Sequence, residues 1–358
     1  MNSFADFPPA LILFLGALLV PFLKPNWRSA WTVLLPFLAL IHILRLEDTG
    51  GWQVTAFSFG GEPIDFLRVD KLSNAFGIIF TLNAVAAFLY AFYYKKSGQH
   101  VAALFYIGGA LGSVYAGDLL SLYVFWESMA VSSTFVILSR NTQQARGAAF
   151  RYILIHLVGG LLFLAGIILT IAQQGGSIAF DGFDYATDNH AGTWLILIGI
   201  LLNCGAPPLS AWLPESYPAA SVTGGLILSA YTTKTAVYTL LRGYPGWEPL
   251  IWVGCAMALY GVIYALMESD MRRILAYAII NQVGFMVVAA GVGTHEAISG
   301  ATAAAFCHIL YKSLLWMVTG AVLYRVGKSY AGDLGGLHRS MPVTTLFAFI
   351  GAMSMALP

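Results

Sequence analysis

Charge is what this chain has least of. Of its 358 residues only 10% are Asp, Glu, Lys or Arg, while 58% are apolar. A soluble domain carries about 25% charged residues, and with so few a soluble protein of this size could not cover its own surface. Lipid can cover it instead. The net charge of +1 provides no pull toward nucleic acid. Cysteine is scarce as well. Cys204, Cys255 and Cys307 all lie in apolar stretches, and an odd count without CxxC spacing argues against a disulfide framework or a metal cluster. They read as small buried hydrophobes. No GxGxxG, no GxxxxGK[ST] and no HExxH occurs. No cofactor and no metal is therefore expected, and any redox chemistry would have to sit on other subunits. The first apolar run lacks a basic lead-in and reads as a retained helix, not a cleaved leader.

What the chain has instead is long apolar runs. A spanning helix needs about 20 mostly apolar residues. Segments of that kind fall at 8–23, 29–44, 72–94, 101–117, 119–138, 148–171, 193–213, 223–241, 249–268, 272–292, 297–323 and 343–358. The fold expected is all-α: a polytopic membrane protein with about twelve transmembrane helices. Residues 45–71 alternate polar and apolar around Gly50-Gly51 and Gly60-Gly61, the pattern of a short hairpin at the membrane surface. Lys and Arg concentrate in cytoplasmic loops. One set of loops holds 12 of the 18 and the other holds 4, which predicts an N-terminus outside the cytoplasm. Asp181, Asp184 and Asp188 then face outward.

Ala149–His156 resembles Ala305–Lys312, a shift of 156 residues. The shift covers five spans, and an odd number of spans flips orientation. The expectation is a pair of inverted repeats, an arrangement that places ion sites at the repeat interface. Three units follow: 1–97 with N-terminal helices and the surface loop, 98–247 as a first five-helix repeat, and 248–358 as a second repeat, incomplete at its C-terminus.

An ionisable group at the bilayer centre costs about 2.5–3.5 kcal/mol on insertion scales. Such groups persist where they face a bundle interior, pair, or line water. Five sit well inside spans: Glu127, His156, Lys234, His308 and Lys312. Glu127 lies too deep to reach the interface, so it is either a proton-exchanging carboxylate or half of a structural ion pair. Lys234 has Thr232, Thr233 and Thr235 beside it to hold water or its ammonium. A lysine bonded only to carbonyls is the structural alternative. His308 and Lys312 are four apart and share one helix face, like successive stations of a relay. His156 has no such partner, and a satisfied core histidine is the plainer reading. Pro207-Pro208 and Pro214 interrupt the span before Lys234, with Glu215 and Ser216 following. A broken helix beside buried charge is the usual geometry of a coupling-ion site.

Four stretches carry a family likeness. Asp118–Glu127, Ala211–Ala220 and Arg273–Tyr277, followed by His308–Leu315, resemble the antiporter-like subunits of Mrp-type cation/proton antiporters, respiratory complex I and membrane-bound hydrogenases. The resemblance runs from about residue 70 to the end, and Tyr217–Ala220 and 223–242 are most similar to the Mrp D subunit. It implies that Glu127 is the helix-borne glutamate of the proton path, Lys234 the central lysine of the first half-channel, and His308 and Lys312 the protonatable pair joining the halves. Two departures stand out. Where the family has a lysine partner for the glutamate, this chain has Asn203, an amide that can bond Glu127 without charging it. Family members are usually longer, so either the chain is truncated or a separate subunit completes the second repeat.

The resemblance implies a proton-translocating, D-like subunit of a multisubunit Na+(K+)/H+ antiporter in the cell inner (plasma) membrane. It would be a transporter subunit and not an enzyme. Its partners would be other membrane subunits, protons, Na+ or K+ and the lipid bilayer, with no nucleic acid. Three alternatives stay open: the proton-pumping arm of a quinone-reducing or hydrogen-evolving complex, a non-conducting scaffold, and a membrane partner that energises another transporter.

Overall fold

The computed structural model describes residues 7–46, 52–59, 62–173 and 178–356. Gly50-Gly51 and Gly60-Gly61 lie outside the described residues. Among the described residues, helix falls in every expected span. In chain order the helices are α1 (Pro9–Leu19), α2 (Pro25–Ile43), α3 (Lys71–Tyr90), α4 (Ser97–Tyr115), α5 (Leu119–Leu138), α6 (Gln143–Gln173), α7 (Ala191–Cys204) and α8 (Trp212–Ala219). They continue with α9 (Val222–Ala230), α10 (Thr232–Gly243), α11 (Pro249–Met267), α12 (Met271–Val292), α13 (His295–Val326), α14 (Leu337–Ser340) and α15 (Pro342–Ala356). By length and composition alone, α3, α5, α6, α11, α12 and α13 can each cross a membrane. The chain is a multi-pass membrane protein. Between α2 and α3, β1 (Trp52–Phe59) and β2 (Glu62–Val69) pair antiparallel, the hairpin that the alternation predicts.

Cap residues set the helix limits. Asp70, Asp118 and Asp270 accept backbone N–H bonds at the starts of α3, α5 and α12, satisfying donors that a helix start leaves unpaired. Gly205, Gly293 and Gly327 take positive φ at the ends of α7, α12 and α13, a conformation that favours glycine. α6 shows how lipid and interior divide a helix. Phe150, Leu154, Leu157 and Leu161 are exposed on one side, while Tyr152, His156, Gly159 and Phe163 are buried on the other. Against lipid, close backbone approach holds helices together. A Cβ on Gly254 of α11 would stand 2.6 Å from the Gly284 carbonyl of α12.

The internal recurrence has a different register from the one residue similarity suggests. α4, α5 and α6 start at Ser97, Leu119 and Gln143, and α11, α12 and α13 start 152 residues later at Pro249, Met271 and His295. The cap aspartates Asp118 and Asp270 match at the same spacing, and each forms an isolated bridge, to Ala179 and to Tyr330. The 156-residue shift is therefore long by four, one helical turn. At the corrected register His156 falls opposite His308, and Lys312 opposite Gly160.

Two spans are broken. The expected span 193–213 ends at Cys204, and helix resumes only at Trp212. Pro207-Pro208 lies in the break, whereas Pro214 sits in the first turn of α8, where its missing N–H costs little. The expected span 223–241 is also two helices, parted at Tyr231 with φ −105° and ψ −63°. Its sequence, with neither proline nor glycine at the break, gives no sign of this.

Candidate functional site

The break at Tyr231 makes the site. Where a helix stops, carbonyls and N–H groups lose their partners, and inside a membrane each must find another. The Tyr106 hydroxyl, from α4, accepts the Thr232 N–H at 2.9 Å and lies 2.7 Å from Thr232 Oγ1 and 3.4 Å from the Leu228 carbonyl. Asn83 Nδ2 donates to the Tyr231 hydroxyl at 3.3 Å, and that hydroxyl donates to the Phe80 carbonyl at 3.2 Å. The freed Ser229 carbonyl accepts from Lys234 Nζ at 2.9 Å, and Thr233 Oγ1 accepts from the same nitrogen at 3.2 Å. Lys234 is wholly buried and has no acidic partner among the described residues.

His308 and Lys312 lie on α13 and are both buried. His308 stands in the electrostatic fields of Lys234 and Lys312 together. Its two ring nitrogens have no hydrogen-bond partner among the described residues, and its ring meets Tyr311 edge-on at 5.3 Å. Lys312 Nζ lies 3.4 Å from the Met355 thioether, a weak acceptor. Three protonatable groups on two neighbouring helices, none ion-paired to a carboxylate among the described residues, are thus brought together as the sequence suggests.

His156 is nearer to this set than its isolation in the sequence implies. It is boxed between the rings of Tyr152 at 3.9 Å and Trp212 at 4.6 Å. With Tyr152, Asn203, Thr232 and Thr235 it lines a small cavity with about 10 Å³ free to a water-sized sphere, roughly the room one water needs. Both His156 nitrogens and Thr235 Oγ1 lack hydrogen-bond partners among the described residues. Buried polar atoms of that kind meet ordered water in native structures, and Thr235 is the neighbour of Lys234. Tyr106, Tyr152, Tyr231 and Ser229 escape a search for charges because they act through hydroxyls and one carbonyl.

Glu127 stands apart. It is half-buried on α5, with Oε1 unpartnered among the described residues, at the edge of a groove of about 740 Å³ lined by Val101, Phe105, Val124, Ser128 and Ser132. Its carboxylate lies against bare backbone of α6, where a Cβ on Gly160 would be 2.1 Å from Oε1. Two expectations fail here. The Asn203 amide does not turn to Glu127 but donates to Gly199, one turn back on its own helix, at 3.1 Å. Glu215 is not in the buried path. It is exposed and pairs with Arg151 at 2.7 Å, a contact between α8 and α6 on the outside of the bundle. Of the cysteines, only Cys204 is buried; Cys255 and Cys307 are exposed.

Comparison with known proteins places this geometry. A family profile described as NADH:quinone oxidoreductase/Mrp antiporter, transmembrane, matches residues 116–358. An uncharacterised protein of Mycobacterium tuberculosis is 33% identical over 261 residues, covering 66% of this chain and 41% of that protein, so the chain spans about two fifths of that relative's length. The D subunit of the Na+/H+ antiporter of Alkalihalophilus pseudofirmus is 27% identical over 389 residues, covering 99% of this chain and 77% of the relative. Among solved structures, a chain of the membrane-bound sulfane sulfur reductase, an archaeal respiratory membrane complex, superposes with a TM-score of 0.87 at 25% identity, covering 97% of this chain and 61% of that one.

Proposed function

The chain belongs to the NADH:quinone oxidoreductase/Mrp antiporter transmembrane family, and from that premise we propose that it is the proton-translocating, D-like subunit of a multisubunit Na+(K+)/H+ antiporter. The observation that carries the proposal is Lys234, a fully buried amine at a helix break with His308 and Lys312 beyond it. An intramembrane cation without a paired acid marks an ion path by default. In this reading Lys234, His308 and Lys312 pass protons in turn. The cavity at His156 and Asn203 supplies a water to the near side of Lys234. Glu127 tunes the entry from α5. Residues 98–247 and 248–358 form the two halves, following an N-terminal unit at 1–97, and the 152-residue recurrence of helix starts supports the division. The protein sits in the plasma membrane with its N-terminus outside and works with other membrane subunits.

The test uses everted vesicles of a strain lacking its own antiporters. A pH-sensitive dye follows the collapse of ΔpH on adding Na+ or K+. Lys234→Ala is expected to abolish the response while the complex still assembles, and exchange at the wild-type rate would sink the proposal. A second reading, the proton-pumping arm of a redox complex, is favoured by the match to the sulfane sulfur reductase chain. Flavin or iron–sulfur proteins co-purifying with the chain would decide for it.

A further inference from the structure

A second cluster of charges lies where α10 meets the β-hairpin. On α10, Lys234, Tyr238 and Arg242 follow one another at spacings of four, and Thr235 stands three before Tyr238, so Tyr238 is the neighbour of all three on the helix surface. Lys234 and Arg242 are eight residues apart, about 12 Å along a helix. Arg242 Nε donates to the Tyr238 hydroxyl at 2.7 Å, and Arg242 Nη2 donates to both carboxylate oxygens of Asp70, at 2.9 and 2.7 Å. Arg68, on β2, reaches Asp70 at 3.5 Å and Asp181 at 3.1 Å. Exposure rises along this line. The Arg242 side chain is 6% exposed, Asp70 24% and Asp181 72%. A row of polar groups therefore runs from a buried lysine to the surface, and one ion pair lies across it.

We propose that Asp70, Arg242 and Tyr238 form a gate that closes the hairpin-side end of the path from Lys234, and that breaking the Arg242–Asp70 pair opens it to water. The inference rests on the reading that Lys234 exchanges protons with that side. Three elements meet at the pair: the Asp70 cap of α3, β2 through Arg68, and the C-terminal turn of α10. Charge-assisted bonds are the strong ones, so the pair holds the three together. Arg68 gives the gate a second arrangement. It touches Asp70 and Asp181 together, so Asp70 keeps a cation when Arg242 swings away. Arginine suits the closed state because its fixed charge repels protons and cations in a narrow path. The groups facing Asp70 are Arg242 and Tyr238 from α10, Arg68 from β2, Ser73 from α3 and Tyr115 from α4. Burial works against the Asp70 charge, but Arg242, the Ser73 N–H and Arg68 outweigh it and hold the carboxyl below its ordinary range. The gate is ionised and closed at neutral pH.

The test reads access, not turnover. In the full complex, Cys204, Cys255 and Cys307 are replaced by alanine and Thr235→Cys is added. A membrane-impermeant methanethiosulfonate is applied to right-side-out and to everted vesicles. With the gate intact, position 235 reacts slowly. Asp70→Asn and, separately, Arg242→Gln should each speed labelling about tenfold, the population change that losing one charge-assisted hydrogen bond supports, and from one side only. Ser113→Cys, at a fully buried position, serves as the control for loosened packing. An unchanged rate at 235, a rise from both sides, or a parallel rise at 113 would each overturn the gate. Labelling needs no transport. Absent exchange in the wild type overturns the transport reading alone, and unchanged labelling overturns the gate alone.

Discussion

Gly160 presents bare backbone to Glu127: a Cβ there would stand 2.1 Å from Oε1. The carboxylate lies flat against α6 only because nothing projects from that position. Gly160→Ala should therefore push the carboxylate aside without altering any charge. Because the displaced atom is the end of a flexible side chain beside an open groove, little loss of stability is expected, with exchange slowed and Glu127→Asp, one methylene shorter, restoring part of it in the double variant. Dye-monitored exchange in vesicles, alongside thermal unfolding of the purified complex, checks both. A Gly160→Ala protein with native rates would mean that the position of Glu127 does not matter.

Tyr106 holds the break in the Val222–Gly243 span together through the Thr232 N–H and the Leu228 carbonyl. Tyr106→Phe leaves these buried groups without their hydroxyl. A loss of about 1–3 kcal/mol is expected, read as a lower unfolding temperature, and exchange should fall with it because Lys234 is seated on the same break. Undiminished stability would show that water replaces the hydroxyl at no cost.

Asp70 gives the protein a defined acid limit. Its folded carboxyl titrates below the ordinary range, so the stability it contributes is fully present above that range and is lost as pH falls through the lowered folded value. Between pH 6 and 8 the wild type should show no change from this group. Asp70→Asn should be less stable by about 1.5–3 kcal/mol at neutral pH, and the difference from wild type should shrink on acidification below about pH 4. Unfolding temperatures of both proteins across that interval test the sign. A gap that widens in acid would contradict it.

Arg272 is buried on α12 and closes the end of α8. Its guanidinium donates to the Pro218 carbonyl at 2.9 Å, Ala220 at 3.2 Å and Ser221 at 3.1 Å, and stacks 5.1 Å from Trp316 on α13. Lysine keeps the charge but not the fork. Arg272→Lys should cost at least about 2 kcal/mol, visible as loss of assembled complex on native gels at raised temperature. Wild-type assembly would show that Arg140, which reaches the Pro218 and Ala220 carbonyls as well, suffices alone.

Much of the fold was legible because apolar runs of membrane length leave few alternatives. The hairpin was legible in its alternation. What escaped was whatever depends on partners far along the chain. The break at Tyr231 has no proline or glycine to announce it, since it is held by Tyr106 and Asn83, more than 120 residues away in sequence. The first break was marked by Pro207-Pro208, but Pro214 misled, because a proline in the first turn of a helix interrupts nothing. Lys234, His308 and Lys312 were legible as charges that lipid would not tolerate. Asn203 and Glu215 were not, since the choice between a neighbour's carboxylate and a local carbonyl or arginine is made by side-chain direction. The repeat slipped by one turn because apolar helices resemble themselves every turn, whereas cap aspartates occur once per helix and fix the register.

An ammonium has three protons. Two of those on Lys234 are directed at the Ser229 carbonyl and Thr233 Oγ1, and a neutral amine still has two N–H donors to give. Discharging the lysine therefore breaks neither bond. In the proposed relay the third proton can then come and go while the side chain stays where it is, so the rate at which Lys234 empties would be set by the arrival of an acceptor and not by any rearrangement of the helix that carries it.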